Sequence, residues 1–484
     1  MKKKQTNKVE DIINQLSIWF EASSDIIVKE KTYQDITIKF LYCSQLIDMN
    51  KLNEVIFPAI YHVWEKNGDV THNQLSNVLE ISKPQNLMDA KKEIEEKLFS
   101  GELLLFSHDL DDILFIPVSK FPKRSPEESN LESSVRGPRD GLVENISDNM
   151  ALIRQRLKTS SLKSIEYSLG ERSRTKIVLL YIDDIINPSI LEDVKKRLES
   201  IKVDIIISSY EIEESLYDKT FSLFPLLDHS GRPDFAVKAL TQGRFVILVD
   251  GNPTCLIGPA NFNQTFYSPE DMHDSFFYTS IVRVFRFIAI LITIFLPGFY
   301  ISLISYQIDQ LPYSLVATIS ASRLGLPLSA AMETFLMLAL FELFKEAGLR
   351  LPKPVGQTVA VLGGLFIGDA AIRAGLTSPS CLVVISITVI SGYILINQTI
   401  SNNIVILRLF VLFISSLLGL YGFFLGFFII ITSLVSLQSF GFPYLANLSR
   451  PNSGNIIKSF IRVPLQFMKK RNQAYQPVDD TQKE

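Results

Sequence analysis

Charge is distributed unevenly along this chain of 484 residues, and that distribution limits what the chain can fold into. Between Phe287 and Ser449 only eleven side chains are charged, although 20% of the whole sequence is Asp, Glu, Lys or Arg. A stretch this long with so few charges is typical of a membrane domain, because charges in hydrocarbon are costly and those retained there usually have a function. We therefore expect a large soluble domain followed by a membrane domain.

The bulk composition narrows the class of protein further. A net charge of −3 excludes a generally basic nucleic-acid-binding protein. Cys43, Cys255 and Cys381 lie far apart, which favours a reduced, cytosol-facing soluble part over a disulfide framework. The N-terminus MKKKQTNKVEDI is basic but contains no apolar core segment, so we expect no cleavable signal peptide.

The apolar half predicts an α-helical membrane domain with an even number of crossings. The run from Phe287 to Ile308 is long enough to cross about 30 Å of hydrocarbon. Arg283 and Arg286 precede this run and a basic tail follows residue 450, so both termini are expected to be cytoplasmic. We predict four full spans, near 287–307, 324–344, 379–398 and 409–435, the last run also being long enough for two short passes.

The segment Val355–Ile372 is short, rich in glycine and acidic at Asp369, which predicts a re-entrant or broken helix. Small residues recur in it at four-residue spacing: Gly356, Ala360, Gly364 and Gly368. Such a stripe suits close packing of helices within one protomer. The alternative is a ring of these helices around a pore, with Gln357, Thr358 and Asp369 facing water.

Asp369 and Glu333 are the intramembrane carboxylates with the strongest claim to a function. Arg373 follows Asp369 at i,i+4 spacing, which favours an ion pair on a helix. Glu333 has its nearest basic residue of the preceding sequence at Arg323, so we expect a water-facing or inter-helix role. The candidates for pore lining or coupling are Glu333, Gln357, Thr358, Asp369 and Arg373.

Two parts of the soluble half are alike. Residues 98–117 (LFSGELLLFSHDLDDILFIP) match residues 240–259 (LTQGRFVILVDGNPTCLIGP), each with a helix end, a glycine, a strand, an acidic turn, a second strand and a proline. Residues 38–52 likewise match residues 177–191. Offsets of 142 and 139 positions predict two copies of one α/β unit, each a small sheet with helices packed on it. Asp250-Gly251 is expected to form a hairpin turn.

A polar linker separates the two units. It continues into a segment with Arg136 and Arg139 and then into a helical segment with Arg154 and Arg156. Arginines in such an alternation usually lie on a solvated face; the alternative is contact with acidic headgroups or a neighbouring subunit. The expected domains are a first α/β module (1–120), a linker with a helix (121–160) and a second α/β module (161–280). A membrane domain (281–449) and a basic cytoplasmic tail (450–484) follow.

The sequence contains no recognisable catalytic motif. The five histidines are scattered, and neither a phosphate-binding P-loop nor a G-x-S-x-G elbow occurs. Asp183-Asp184 follows a predicted strand and suits a turn or helix cap better than a metal site. We therefore expect a protein that is not an enzyme and that has no metal or cofactor.

Four long segments of the sequence resemble a single family. RGPRDGLVENISDNMALIRQRL, RPDFAVKALTQGRFVILVDG, SPEDMHDSF and FELFKEAGLRLPKPVGQTVAVLGGLFIGDAAIRAGLTSPS resemble the A subunit of GerA-type spore germinant receptors, collinearly from about residue 36 to residue 450. The resemblance implies a multi-pass protein of the bacterial spore inner membrane, working with a transporter-like B subunit and a lipoprotein C subunit. It also implies oligomerisation into a gated cation channel that triggers germination when a partner subunit binds nutrient.

The chain departs from the pattern of that family at three places. His229-Ser230-Gly231 stands where Thr-Glu commonly precedes Arg-Pro-Asp, Leu324 replaces an acid, and Asp369 replaces a glutamine. Changed charges near a pore leave the ion selectivity open. Two further functions also stay open: an ion-coupled secondary transporter, suggested by the broken helix and the intramembrane acids, and a membrane-tethered enzyme.

Overall fold

The computed structural model shows an N-terminal α/β domain followed by a helical C-terminal region. The α/β part contains two antiparallel sheets, and the helical part begins at Phe276. The structure describes residues 19–20, 23–33, 36–67, 72–84, 90–107, 113–120, 136–219, 221–349, 368–395, 398–446, 460–467 and 470–482.

The first sheet has four antiparallel strands in chain order: β1 (Ile26–Tyr33), β2 (Ile36–Cys43), β3 (Glu102–Ser107) and β4 (Leu114–Pro117). The helices between β2 and β3 are α1 (Met49–Lys51), a π-helical turn (Leu52–Ile56) leading into α2 (Phe57–Asn67), α3 (His72–Ser76) and α4 (Ala90–Leu98). Successive side chains of a strand point to opposite faces. Phe40 therefore packs towards α2 and Leu41 towards α4, so both faces of the sheet are covered.

The second sheet has five antiparallel strands in the order β5-β6-β8-β9-β7: β5 (Leu162–Leu169), β6 (Thr175–Ile182), β7 (Asp228–Ser230), β8 (Phe245–Val249) and β9 (Cys255–Gly258). Its helices are α5 (Ile146–Arg156), α6 (Pro188–Ser200), α7 (Ser209–Leu216) and α8 (Pro233–Leu240). Leu179 packs towards α6 and α7, and Leu180 packs towards α5 and α8. Burial on both faces explains why β6, β8 and β9 are apolar without alternation.

The first four strands of the two sheets pair in the same order and register. The β2–β3 pair Ile38 and Ser107 corresponds to the β6–β8 pair Ile177 and Val249, at the offsets of 139 and 142 found in the sequence. The second sheet adds β7 at its edge. The predicted hairpin turn at Asp250-Gly251 joins β8 to β9.

The helices that precede β3 and β8 end in the same way. Gly101 follows α4 and Gly243 follows α8, with φ of 81° and 83°. Their amides donate to the carbonyl oxygens of Leu98 and Leu240, each at 3.1 Å. Glycine adopts this left-handed conformation at low cost, which gives a physical reason for the glycine in both matching segments.

The helix predicted within the linker belongs to the second module. Its residues Ile146, Met150 and Ile153 are buried in the core on one face of the second sheet, together with Leu142. This differs from the expected linker boundaries, 121–160, because an apolar helix face must be covered and the neighbouring sheet covers it.

The helical region contains α9 (Phe276–Tyr306), α10 (Tyr313–Ser322), α11 (Ala330–Leu349), α12 (Pro379–Tyr393) and α13 (Gln398–Ser436). Within the described residues, two stretches are long and apolar enough to cross a membrane, Phe276–Tyr306 and Ile400–Ser436. The span expected at 324–344 starts later, at Ala330, because Gly325 has a φ of 85° and Pro327 follows it. The span expected at 379–398 ends at Tyr393.

Helix α13 is a hairpin of two arms that meet at Gly419. The backbone there is not helical, with φ 62° and ψ −138°. In the first arm, Val411 lies beside Gly298 of α9 and the carbonyl oxygen of Ser416 accepts a hydrogen bond from Tyr306 further along α9. In the second arm the direction is reversed: Phe423 packs on Phe299, and Phe427 packs on Phe295. The run expected as one span at 409–435 therefore contains a chain reversal at Gly419.

The C-terminal tail packs on the second module. Tyr475 is buried, and its hydroxyl accepts a hydrogen bond from Gln264 Nε2 at 2.9 Å. The amide of Val478 donates to the carbonyl oxygen of Ile185 at 3.0 Å. Burial raises the pKa of Tyr475 to about 12, so the phenol stays neutral at physiological pH. The tail and the soluble domain therefore lie at the same end of the helical region.

Candidate coupling site between the soluble and helical domains

A short charged loop, residues 268–274 (SPEDMHD), joins the soluble domain to α9. It contains a 3₁₀ turn, Pro269–Met272, which starts with proline. Ser268 caps the turn: its Oγ accepts from the amide of Glu270 at 3.2 Å, and its own amide donates to Asp271 at 3.3 Å. The cap holds the carboxylates of Glu270 and Asp271 in fixed positions at the start of α9.

Asp271 connects this loop to α9. Its side chain is 6% exposed and accepts from Arg283 Nε at 3.0 Å and from Arg286 Nη1 at 2.9 Å. Arg462 of the tail donates to the backbone carbonyl oxygens of Asp271 at 2.6 Å and Met272 at 3.1 Å. The two arginines that indicated the topology are thus held by a buried acid, and the tail is held by the same loop.

Glu270 connects the loop to α8. Arg232, the residue before that helix, has a side chain 2% exposed and donates to Glu270 at 2.9 Å and to Asp234 at 2.6 Å and 3.0 Å. Glu270 also accepts from the amide of Arg136 at 2.6 Å. Burial lowers the pKa of Arg232, but its ion pairs with Asp234 and Glu270 outweigh this effect and raise the pKa. Arg232 is therefore a permanent cation where loop 268–274 meets the start of α8 and the segment around Arg136. We call this contact the charged junction.

Asp234, His273 and Gly137 complete the junction. His273 Nε2 lies 3.0 Å from Asp234 Oδ2. Burial raises the pKa of Asp234, but hydrogen bonds from Arg232 and His273 outweigh it, and the net pKa is below the ordinary value. A Cβ on Gly137 would clash with Arg232 Nη2 and would lie 2.7 Å from His273 Cδ2. A larger residue there would displace Arg232 or His273, because the backbone approaches both side chains closely.

The four arginines predicted to make surface contacts lie in different environments. Arg136 is 68% exposed, with Nη1 3.7 Å from Asp274, and Arg139 is exposed. Arg156 pairs with Asp140. Arg154 has a side chain only 1% exposed, so contact with a headgroup or a neighbouring subunit is wrong for this residue.

Arg154 joins the two α/β modules. Its Nε and Nη2 lie 2.8 Å and 2.9 Å from the carboxylate of Asp25, just before β1. Ser164 of β5 donates to the same carboxylate at 2.7 Å, and Phe99 lies under the guanidinium at 4.6 Å. Because both charges are buried, each is needed to compensate the other.

Glu333 lies between helices α11 and α12. It is fully buried, and its Oε1 accepts from Thr377 Oγ1 at 3.0 Å and from the amide and hydroxyl of Ser378, both at 2.5 Å. Ser378 is the N-cap of α12, the positive end of that helix. The other oxygen of Glu333 lies 3.8 Å from Arg323 Nη2. Of the two environments expected for Glu333, this geometry matches the inter-helix one.

Asp369 and Arg373 form the predicted i,i+4 ion pair at 2.8 Å, with side chains 62% and 79% exposed. Gly368 lies beside Leu382 of α12, whose side chain would be 3.0 Å from an added Cβ. The other predicted residues of the pore and packing sets lie outside the described part of the chain: Gly356, Gln357, Thr358, Ala360 and Gly364.

An ion pair between α11 and α13 was not predicted. Arg408 has a side chain 6% exposed and donates to Glu342 at 3.2 Å, and Lys345 Nζ lies 3.5 Å from the same carboxylate. Arg408 could have been noticed in the sequence, since it stands alone between two long uncharged runs. Its partner lies 66 positions earlier, so the pairing could not have been read from local spacing.

The insertion of Phe440 into the second module was also not predicted. Phe440 lies between β10 (Gln438–Ser439) and β11 (Phe442–Pro443), directly after α13, with a φ of 51°. Its ring packs on Phe245 at 4.9 Å between centroids and lies 4.6 Å from the guanidinium of Arg197. Its amide donates to Asp218 at 2.7 Å. The end of the helical hairpin is thus anchored in the core of the soluble domain.

No group of three or more His, Cys, Asp or Glu side chains within the described part of the chain could hold a metal ion. Asp183 and Asp184 are exposed in the turn after β6. Burial raises the pKa of the Cys43 thiol to about 12, which keeps it protonated and unreactive as a nucleophile.

Comparison with known proteins identifies the family. The sequence profile described as "Bacillus/Clostridium GerA spore germination protein" matches residues 14–474. The chain belongs to the GerA family. The resemblance found in the sequence segments is thereby confirmed.

Several relatives of this GerA-family chain are similar over nearly its whole length. Spore germination protein XA of Bacillus anthracis is 40% identical over 483 residues, covering 99% of this chain and 98% of the relative. Spore germination protein A1 of Bacillus subtilis (strain 168) is 33% identical over 461 residues, covering 95% of each. The crystal structure of the N-terminal domain of the A subunit of the Bacillus megaterium spore germinant receptor GerK3 is 23% identical, covers 52% of this chain and 94% of its own, and has a TM-score of 0.39.

Three of the four segments that carry the GerA resemblance meet at the charged junction. The RGPRDG segment contributes Arg136 and Gly137, the RPDF segment contributes Arg232 and Asp234, and the SPEDMHD segment contributes the loop itself. These segments are far apart in sequence, and their meeting point is the boundary between the soluble and helical domains.

Proposed function

We propose that this GerA-family chain is the membrane subunit of a spore nutrient-germinant receptor, multi-pass in the spore inner membrane with both termini cytoplasmic. It oligomerises into a gated cation channel that opens when a partner subunit binds nutrient. Its partners are a transporter-like B subunit, a lipoprotein C subunit and further copies of itself. The alternative is an ion-coupled secondary transporter of the same complex.

One observation carries the gating proposal: the second module holds the helical domain at several separate points. The start of α9 is held by Asp271, and the end of α13 is held by Phe440. Asn403, in the first arm of α13, donates to the carbonyl oxygen of Leu223 at 2.9 Å. A displacement of this module therefore acts on both long helices together, and such shifts of packed helices couple distant sites in switching proteins.

The positions of the helix ends relative to α9 and to the soluble domain support an even number of crossings. Ser380, at the start of α12, hydrogen-bonds Tyr300 near the far end of α9 at 3.0 Å, and Glu333 near the start of α11 contacts the same helix start. Helices α11 and α12 therefore both start near the far end of α9 and run back towards the soluble domain. The two arms of α13 then leave and return, which agrees with a tail that packs on the soluble domain.

We infer that the two α/β modules are copies of one unit. Equal strand order, equal register and the equivalent glycines 101 and 243 support this inference. A duplicated scaffold in which no group of His, Cys, Asp or Glu among the described residues could hold a metal ion suits assembly of subunits. Arg136 and Arg139, both exposed, are its proposed contacts to a neighbouring subunit or to acidic headgroups.

The residues proposed to line or couple to the pore are those singled out from the sequence. Asp369 and Arg373 are exposed in the single chain, so they are accessible to water or to a second protomer. Glu333 couples α11 to the start of α12. Helix α12 follows the glycine-rich segment that carries Gln357 and Thr358. The four small residues of that segment, Gly356, Ala360, Gly364 and Gly368, are proposed to pack it closely against neighbouring helices.

The decisive experiment is cation flux through the purified full-length protein in liposomes. We expect ring-shaped particles and a flux that Asp369→Asn alters in rate or selectivity at equal protein level. Asp309→Asn is the matched control, because Asp309 is an acid of the helical domain in the short turn Ile308–Gln310 outside the long helices. Unchanged flux in Asp369→Asn would contradict the role of Asp369, and saturable nutrient uptake by this chain alone would favour the transporter.

A further inference from the structure

A small, partly open cavity lies between four helices near the soluble-domain end of the helical region, with charged and apolar side chains in its lining. The cavity has a volume of about 30 Å³. Thr293 comes from α9, Glu342 and Lys345 from α11, and Tyr393 from α12, and the first arm of α13 contributes Ser401 and Arg408. Water needs about 10–15 Å³ of such space, so the cavity has room for one small ion or about two waters.

The charges that line this cavity do not balance. Arg408 and Lys345 are cations, and Glu342 is the one carboxylate among the described lining residues. Glu342 is already engaged by both cations, at 3.2 Å and 3.5 Å. One positive charge is left without compensation in a region where uncompensated charges are costly.

Arg408 also has a donor that is left over. Its Nε is buried and has no hydrogen-bond acceptor among the described residues. A buried donor without a partner costs about 1–3 kcal/mol, and more when it is charged. An acceptor of negative charge in the cavity would remove both this cost and the charge imbalance.

We propose that the cavity binds a monatomic anion of the size of chloride or bromide, held by the guanidinium of Arg408 and the ammonium of Lys345. Charge-assisted hydrogen bonds from these groups are strong, and Ser401 and Tyr393 add hydroxyl groups to the lining. The volume excludes a bulky headgroup. Glu342, with a side chain 38% exposed against 6% for Arg408, lies on the more open side of the cavity.

The bound anion joins α11 to the first arm of α13. Glu342 competes with it, because the carboxylate and the anion use the same two cations. Removing the carboxylate of Glu342 should therefore increase the affinity for the anion. In a site that holds only an ion pair or water, its removal would not increase halide binding.

The test is thermal unfolding of the full-length chain in detergent, in sodium chloride or bromide against sodium gluconate at equal ionic strength. We expect halide to raise the midpoint of the wild-type chain, and Glu342→Gln to reach half of its rise at a several-fold lower halide concentration. Arg408→Gln should lose the halide response. Arg172→Gln, which removes an exposed cation of the soluble domain, should keep it.

Equal midpoints in halide and gluconate for the wild type and for Glu342→Gln would overturn the proposal. So would an undiminished halide response in Arg408→Gln. Should Arg408→Gln fail to fold, Glu342→Gln against Arg172→Gln still decides the question. Since the readout is stability, none of these outcomes depends on whether the protein conducts ions, and a failed flux experiment would leave this one intact.

Discussion

Glu333 caps helix α12 from another helix: its Oε1 lies 2.5 Å from both the amide nitrogen and the hydroxyl oxygen of Ser378, the N-cap residue. A carboxylate at a helix N-terminus is stabilised by the unpaired amides and by the helix dipole. This contact fixes the start of α12 against α11. Helix α12 is the first helix after the glycine-rich segment Val355–Ile372.

Replacing Glu333 by alanine should destabilise the helical domain by about 3–5 kcal/mol, because Thr377 and Ser378 would lose their acceptor in a buried site and Arg323 would lose its nearest negative charge. Glu333→Gln should cost less, because its amide oxygen still accepts from Ser378. Thermal unfolding of the full-length protein in detergent measures both. Asp369→Ala, which removes an exposed acid from the same domain, should cost no more than about 1 kcal/mol, and an equally mild Glu333→Ala would contradict the capping role.

The sequence allowed prediction where interactions are local or repeated. The Asp369–Arg373 pair follows from i,i+4 spacing, and the matching segments at residues 98–117 and 240–259 correspond to strands of equal order and register. The isolation of Glu333 in an apolar run marked it as unusual, but its partner Ser378 lies 45 positions away, and no local pattern connects them.

What could not be predicted depends on packing between distant segments. The alternation of Arg154 with Arg156 is typical of a solvated helix face. Arg154 is nevertheless buried, because it pairs with Asp25 of the other module. Gly419 stands in an unbroken apolar run, so only the opposite directions of the two arms along α9 reveal the turn. The charged junction is assembled from three segments whose proximity follows from the fold alone.

Breaking the pair between Arg154 and Asp25 should destabilise the contact between the two modules. Arg154→Ala leaves a buried carboxylate with Ser164 as its remaining strong donor, and should cost about 3–5 kcal/mol. Lys39→Ala removes a cation from the exposed pair with Glu30 and should cost at most about 1 kcal/mol. Chemical unfolding followed by circular dichroism compares the two, and a similar cost for both would show that burial does not strengthen this pair.

Adding one methyl group at the junction should be enough to disturb it. Gly137→Ala places a Cβ against Arg232 and His273, and the resulting overpacking should cost about 1–3 kcal/mol. Gly426→Ala is the matched control, because its nearest neighbour, Val411, would be at an ordinary 3.5 Å and the helix should gain slightly. Thermal unfolding of the two variants should therefore move in opposite directions, and parallel shifts would contradict the close approach.

The junction should also lose stability in acid. The pKa of Asp234 is lowered in the folded protein, so its ion pairs contribute fully above the ordinary value of about 3.9 and are lost as the pH falls through the folded value. From pH 5 downward, the free energy of unfolding should fall more steeply for the wild type than for Asp234→Asn. Glu30→Gln, at an exposed site, should follow the wild-type curve. Identical slopes in Asp234→Asn and the wild type would exclude this contribution.

Phe440 should be the most sensitive residue of the contact between α13 and the soluble domain. Its ring is 4% exposed and fills a pocket of the second module, so Phe440→Ala should cost about 3–5 kcal/mol, whereas Phe467→Ala, at a site 71% exposed, should cost little. The backbone at Phe440 has a φ of 51°, which glycine adopts at lower cost than alanine.

Phe440→Gly should therefore be no less stable than Phe440→Ala, although both lose the ring. Thermal unfolding of the full-length chain orders the variants, and germination of spores that carry them at equal protein level tests coupling. If Phe440 transmits the movement of the second module, both variants slow germination while Phe467→Ala does not. Normal germination with a loosened Phe440 contact would place the coupling at Asp271 and the start of α9 instead.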